Sequence, residues 1–86
     1  MKGTGIAYNS KSFSVAAYTN GFTLWSYGSE DKLDEIMKPD YFRRAAAFVR
    51  RGDMILTNAD KEGDMQSAIL VVSEAGGEKV VVKRLV

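Results

Sequence analysis

The segment covering residues 39–55, P-D-Y-F-R-R-A-A-A-F-V-R-R-G-D-M-I, most constrains how this chain can fold. Pro39 disfavours helix in the residue before it, and Asp40 is a residue type that commonly caps a helix N terminus. Apolar residues then recur at helical spacing as far as Arg51. Gly52 follows, where a helix-terminating glycine is expected. The segment therefore predicts a capped helix, a tight turn and entry into a strand.

A shorter helix is predicted immediately before this segment. Ser29 can act as its N-cap, and acidic residues follow in its first turn, where they favour a helix start. Leu33, Ile36 and Met37 form one apolar stripe at helical spacing. The two helices together would form an insertion between strands.

Strand patterns lie on both sides of the predicted helices. An aromatic strand, F-T-L-W-S-Y, covers residues 22–27, and three β-favouring runs follow residue 52 with short polar loops between them. We predict an α+β fold with a small antiparallel β-sheet or half-open β-barrel of about four to five strands. Its two-helix insertion would lie between the aromatic strand and a C-terminal β-meander. A flat sheet with helices on one face is the second topology that fits.

The N-terminal region is rich in glycine, serine and asparagine. We predict an N-terminal arm over residues 1–20 and a single α+β domain over residues 21–86. Alternation around Phe13 and Val15 suggests a short strand in the arm. Two interpretations stay open: a frayed terminus, or an arm that orders on a neighbouring subunit.

Composition excludes several kinds of chemistry. The 86 residues include no cysteine and no histidine, so disulfides, thiolate metal sites and the commonest general base are excluded. The serines of the arm consequently lack an activating base. Net charge is +1, without the basic excess typical of a DNA-binding domain. We predict no catalytic, cofactor-binding or metal-binding residues, and no apolar run long enough for a membrane span or a signal core.

Three features have a functional interpretation beside an ordinary structural one. Alternating carboxylates in the loop 60–64 could ligate calcium, although a solvated hairpin loop fits them better. Arg43 and Arg50 would share one side of a helix, as a solvated face, a phosphate site or a contact with another subunit. Trp25 and Tyr27 could stack bases, but no basic residue interleaves with them, which favours core or interface packing.

A set of residues running from the first predicted helix into the following strand resembles a known pattern. The chain is similar to small virion proteins of tailed bacteriophages, in which an aromatic strand precedes a D-x-L-x-x-I … Y-F … G-D-x-I segment and a terminal β-hairpin. The resemblance covers roughly residues 22–86. Where the family's pattern often has glycine before Tyr-Phe, this chain has Asp40. The residues that carry the motif are Asp31, Leu33, Ile36, Tyr41, Phe42, Gly52, Asp53 and Ile55.

The resemblance implies a non-enzymatic structural component of a virion. A capsid decoration (cement) protein suits the chain length best; a head-fibre base or a tail accessory module is also compatible. Such a protein would bind the major capsid protein or another virion protein. It would be a homo-oligomer, with a trimer favoured, on the capsid surface of particles assembled in the bacterial host cytoplasm. The resemblance implies no membrane or nucleic-acid partner.

A small β-barrel that binds nucleic acid remains the alternative function, using the arginine pairs and the aromatic strand. For the decoration function, seven residues are predicted to contact a partner. They are Tyr8, Phe13, Tyr18, Trp25, Tyr27, Arg43 and Arg50.

Overall fold

Five strands form one mixed sheet in the computed structural model, which describes residues 8–86. Their order in the sheet follows the chain: Phe13–Tyr18 (β1), Thr23–Gly28 (β2), Met54–Ala59 (β3), Gln66–Gly76 (β4) and Lys79–Arg84 (β5). The pairs are antiparallel except β2–β3, which is parallel. The predicted C-terminal meander is β3–β4–β5.

The predicted fold class is wrong in two respects. The sheet is mixed rather than antiparallel, and the described residues contain one short α-helix, Leu33–Ile36 (α1), instead of a two-helix insertion. Two 3-10 helices, Ser10–Ser12 and Arg43–Ala45, complete the regular structure. The fold of the described residues is therefore mostly β.

The predicted central helix is replaced by successive turns. Backbone N–H groups of Tyr41, Ala45 and Phe48 donate to carbonyls three residues earlier, the 3-10 spacing, and Val49 N–H donates four residues back to Ala45. These turns point Tyr41, Phe42, Ala45 and Val49 into the core, where all four are buried. Because a helix this short is marginal without tertiary support, contacts with the sheet decide its geometry.

The first predicted helix is also shorter than expected. Lys32, not Ser29, precedes its first residue, and the Ser29 hydroxyl accepts a hydrogen bond from the backbone N–H of Asp31. Asp31 is thereby turned inward and is buried. Ser29 thus starts a turn that places a carboxylate inside the protein.

The chain between β2 and β3 is a crossover that covers one face of the sheet. Two neighbouring parallel strands require such a connection, because the chain must return to the end of the sheet at which the first strand began. Residues 29–53 form it, and its apolar side chains pack against Ile55, Leu70 and Val72 in one core cluster. Among residues 8–86 the core consequently lies on one side of the sheet.

A chain of buried polar groups fastens the crossover to the sheet. The Tyr41 hydroxyl donates to Asp31 Oδ2 at 2.6 Å and lies 2.8 Å from the Tyr27 hydroxyl. Because the single Tyr41 proton points to Asp31, the Tyr27 hydroxyl is the donor to Tyr41. Tyr27 in turn accepts from the backbone N–H of Asn9 at 3.0 Å. The network joins the N-terminal region, β2 and the crossover.

No helix in residues 8–86 has the length and apolar character needed to cross a membrane.

Replacing Tyr41 by phenylalanine removes the hydroxyl donor from buried Asp31 and leaves Tyr27 without its acceptor. We expect Tyr41→Phe to lower the free energy of unfolding by about 1–3 kcal/mol in urea denaturation. Tyr18→Phe is the matched control. The Tyr18 side chain is exposed, so this substitution should change the free energy of unfolding by less than about 0.5 kcal/mol. Equal stabilities of the two variants would contradict the role assigned to the network.

The buried hydroxyl of Tyr41 should also make the protein less stable at alkaline pH. Burial, together with the hydrogen bond to Asp31, raises the pKa of Tyr41 well above its ordinary value of 10.0. The unfolded chain ionises this group at the ordinary pKa, so its stabilising contribution is complete below about pH 10 and is lost as the pH rises further. In denaturation series above that pH, Tyr41→Phe should flatten the decline by up to about 1.4 kcal/mol per pH unit. An unchanged slope would refute this assignment.

Candidate protein-binding surfaces

Most of the aromatic residues predicted to contact a partner lie together in the interior. Tyr8 stacks on Tyr27 with ring centroids 5.9 Å apart, and Phe13 stacks on Trp25 at 4.5 Å. Phe42 of the crossover meets the Tyr27 ring edge-on at 5.3 Å. Tyr8 and Tyr27 are buried, while Phe13 and Trp25 are half-buried. Burial, reinforced by nearby Tyr27 and opposed by Arg44, raises the pKa of Tyr8. This cluster joins the N-terminal region to the crossover through the chain's own β2.

The two arginines predicted to share a helix side lie in different grooves. Arg43 borders a groove with Tyr8 and Tyr41, whereas Arg50 borders another with Tyr18. The prediction of a common side required helical geometry across the six positions between Arg43 and Arg50. The turns that replace the helix separate the two side chains.

Asp53 organises the groove that contains Arg50. Its carboxylate accepts hydrogen bonds from the backbone N–H of Thr23 at 2.9 Å, from Trp25 Nε1 at 3.0 Å and from the backbone N–H of Arg50 at 3.0 Å. The side chain is buried, at 3% exposure. One carboxylate therefore joins the start of β2 to the end of the crossover and fixes the indole of Trp25.

We call this groove the aromatic groove. It lies where β2 and β3 begin, between the β1–β2 hairpin and the last turn of the crossover. Tyr18 is 79% exposed and Phe48 is 64% exposed, far more than is usual for aromatic side chains. Within residues 8–86 neither exposed arginine of the groove makes an ion pair. The side chains that define it are Tyr18, Phe22, Trp25, Phe48, Arg50 and Arg51.

An acidic loop occupies the opposite end of the parallel strands. It covers residues 60–65 between β3 and β4, and Glu62 and Asp64 are exposed. Backbone N–H groups of Gly63 and Met65 both donate to the Asp60 carbonyl, which holds the loop closed. A Cβ on Gly63 would collide with the Asp60 carboxylate, so a larger residue there would displace that side chain. The loop is therefore closed by hydrogen bonds between its own residues.

The face of the sheet opposite the crossover has no covering layer among the described residues. Residues aligned across β2, β3 and β4 point to this side, and those of the central strands are apolar. We call these residues the open face. They are Leu24, Met54, Leu56, Ile69 and Val71.

Polar residues surround the open face. Ser14 and Ser26 pair on the β1 side, and Lys83 pairs with Val71 on the β5 side. At one end the Ser67 hydroxyl donates to Asn58 Oδ1 at 2.6 Å. An apolar centre with a polar rim is the usual anatomy of a protein-binding surface.

The carboxylates of the described residues form no metal-binding cluster. Histidine and cysteine are absent from the sequence, and no group of three or more acidic side chains in residues 8–86 is placed to hold a metal ion. In the acidic loop, Asp60 Oδ2 accepts a hydrogen bond from the backbone N–H of Asp64. The two buried carboxylates, Asp31 and Asp53, both have hydrogen-bond donors within the fold.

Sequence reasoning missed the open face, the aromatic groove and the roles of the buried carboxylates. The open face had a signal, since β4 carries apolar residues on both of its sides. Because the described residues cover only one side of the sheet, the apolar residues on the other side of β4 remain uncovered. Phe48 had no comparable signal, because the helical interpretation placed it beside the apolar stripe.

Comparison with protein-family models, with curated proteins and with solved structures finds no match to this chain.

Removing the Asp53 carboxylate should disorder one end of the crossover. We expect Asp53→Ala to lower the free energy of unfolding by about 3 kcal/mol, since three N–H groups lose a charged acceptor. Trp25 is the single tryptophan, so its fluorescence emission should shift to the red as the indole loses its fixed partner. Asp64→Ala, which removes an exposed carboxylate, is the control and should change neither quantity. A variant with native stability and emission would show that Asp53 is dispensable.

Proposed function

We propose that this protein is a structural component of a tailed-bacteriophage virion, a capsid decoration protein that binds the major capsid protein through its open face and stabilises the shell. The observation that carries the proposal is the apolar sheet face that lacks a covering layer within residues 8–86. Contiguous apolar surface of this kind commonly marks a site of protein association.

The chemistry of the open face favours a protein partner. Its centre is aliphatic, with Leu56 41% exposed, and it lacks the aromatic side chains on which bases stack. Trp25 and Tyr27 point to the covered side instead. Net charge is +1, so phosphate attraction would be weak. These features support the decoration function over the nucleic-acid-binding alternative.

The resemblance to small virion proteins supports the proposal at the level of the scaffold. The residues that carry the motif support the fold. Four of them are in the core: Leu33, Ile36, Phe42 and Ile55. Gly52 has a positive φ of 98°, which favours glycine. Asp31, Tyr41 and Asp53 hold the ends of the crossover. The motif thus describes a crossover that covers one face, while the proposed contact surface lies on the other.

A decoration protein of this size does not need a strong individual contact. Burying apolar surface contributes roughly 25 cal/mol per Å², part of which is lost to the cost of association. Because the protein binds only the assembled shell, each bound copy shifts the equilibrium toward the intact particle. A surface of five aliphatic residues with a polar rim suits such repeated, moderate binding.

Binding to shells tests the proposed surface. We expect Leu56→Glu to reduce co-sedimentation with empty shells at least tenfold, since a carboxylate would be desolvated in the contact. Leu56→Met at the same position keeps an apolar side chain and should bind like the original chain. Both variants should keep native thermal stability, because the side chain lies outside the core.

Two results would overturn the proposal. The first is equal shell binding by the glutamate and methionine variants. The second is an absence of the protein from purified virions by mass spectrometry, combined with an affinity for DNA that falls steeply with salt. That second result would favour the nucleic-acid-binding alternative.

A further inference from the structure

We propose that copies of this chain associate head to tail, with the acidic loop of one copy docked in the aromatic groove of the next. In this contact the side chain of Met65 enters between Tyr18 and Phe48 of the neighbouring copy. The inference deepens the proposed function, on which it rests for the expectation that copies cluster. Its tests use the purified chain without shells, so the two proposals can fail separately.

The groove has the features of a receptor for one apolar side chain. Tyr18 and Phe48 are exposed and both line it, as does the indole of Trp25, which is fixed by its hydrogen bond to Asp53. Exposed aromatic side chains on a rigid support are frequent centres of protein contacts. Thioether side chains fit such places well, because sulfur interacts favourably with aromatic rings.

The acidic loop presents a matching side chain. Met65 is 47% exposed at the end of the loop, beside Asp64. Its φ is +56°, a left-handed conformation that is rare for residues other than glycine. Its backbone N–H donates to the Asp60 carbonyl, which holds this geometry. The fold therefore maintains a strained backbone that holds an apolar side chain in solvent.

The charges of the two surfaces are complementary. Exposed Arg50 and Arg51 border the groove, and the acid that lines it, Asp53, is buried and already bonded. Exposed Glu62 and Asp64 precede the exposed Met65 in the acidic loop.

The basic residue of the loop, Lys61, does not disturb this pattern. Its side chain lies back along Gly28, where a Cβ would be 3.3 Å from Lys61 Cδ. Opposite charges placed around an apolar centre both steer the encounter and fix its register.

The position of the two surfaces decides the symmetry of the contact. The groove lies where the parallel strands β2 and β3 begin, and the loop follows the end of β3. Different surfaces therefore meet in each contact, which generates a ring when the rotation closes and an open chain when it does not. A closed ring matches the cluster expected of a decoration protein.

Charge reversal tests the contact in sedimentation velocity runs over a concentration series. We expect the original chain to self-associate, with an association constant that falls as salt rises. Arg50→Glu with Arg51→Glu should lower that constant at least tenfold, and so should Glu62→Lys with Asp64→Lys. The chain that carries all four changes should recover association to within about threefold, since both surfaces are reversed together.

Two outcomes of this experiment would overturn the inference. One is an original chain that stays monomeric at every concentration. The other is a folded four-site variant that associates no better than either pair alone. Circular dichroism establishes that each variant is folded, and all four positions are exposed, so their reversal should leave the core intact.

Disulfide trapping gives an independent readout, because the chain has no cysteine of its own. Phe48→Cys combined with Met65→Cys should form covalent oligomers on mild oxidation of a dilute sample. Phe48→Cys combined with Leu85→Cys is the matched control: Leu85 is also exposed, at 51%, and lies outside the acidic loop. Equal trapping by the control, or dimers formed by Phe48→Cys alone, would contradict the head-to-tail arrangement.

Discussion

Two buried carboxylates hold the crossover at its ends, and the rest of the structure depends on them. Asp31 accepts from the Tyr41 hydroxyl just after β2, and Asp53 accepts from three N–H groups just before β3. A buried carboxylate is costly unless it is hydrogen-bonded, so each one selects the backbone path that supplies its donors. Between these fixed points the chain runs as turns, with Phe42 and its apolar neighbours pressed onto the sheet. A regular helix is unnecessary for that packing.

The crossover is large enough to cover one face of a five-stranded sheet. The described part of the chain leaves Leu24, Leu56 and Ile69 on the other face without a second layer. Covering apolar surface of this kind lowers the free energy, which is why we propose that a partner protein binds this face. The proposed role on a shell uses this property of the fold and requires no reactive side chain.

The parallel pair also makes the two ends of the molecule different. Both strands begin beside the aromatic groove and end beside the acidic loop, so Arg50 and Arg51 lie at one end of this strand pair and Glu62 and Asp64 at the other. An antiparallel hairpin in the same place would mix the two ends. The two proposals therefore use different surfaces: the two ends for contacts between copies and the open face for the contact with the shell.

The sequence alone determined the strands and the absence of thiol and imidazole chemistry, because alternation, turn residues and composition are local properties. It also indicated a glycine-specific turn at Gly52, which has a positive φ, although the helix that this glycine was predicted to end is absent. Only the tertiary structure decided that β2 and β3 run parallel, and that residues 41–49 form turns rather than a helix. It likewise decided that Tyr8 and Tyr27 are buried while Tyr18 and Phe48 are exposed. Each of these outcomes depends on contacts between residues that are distant in the chain. The most important are the hydrogen bonds that N–H and O–H groups donate to Asp31 and Asp53. Local periodicity does not predict such contacts.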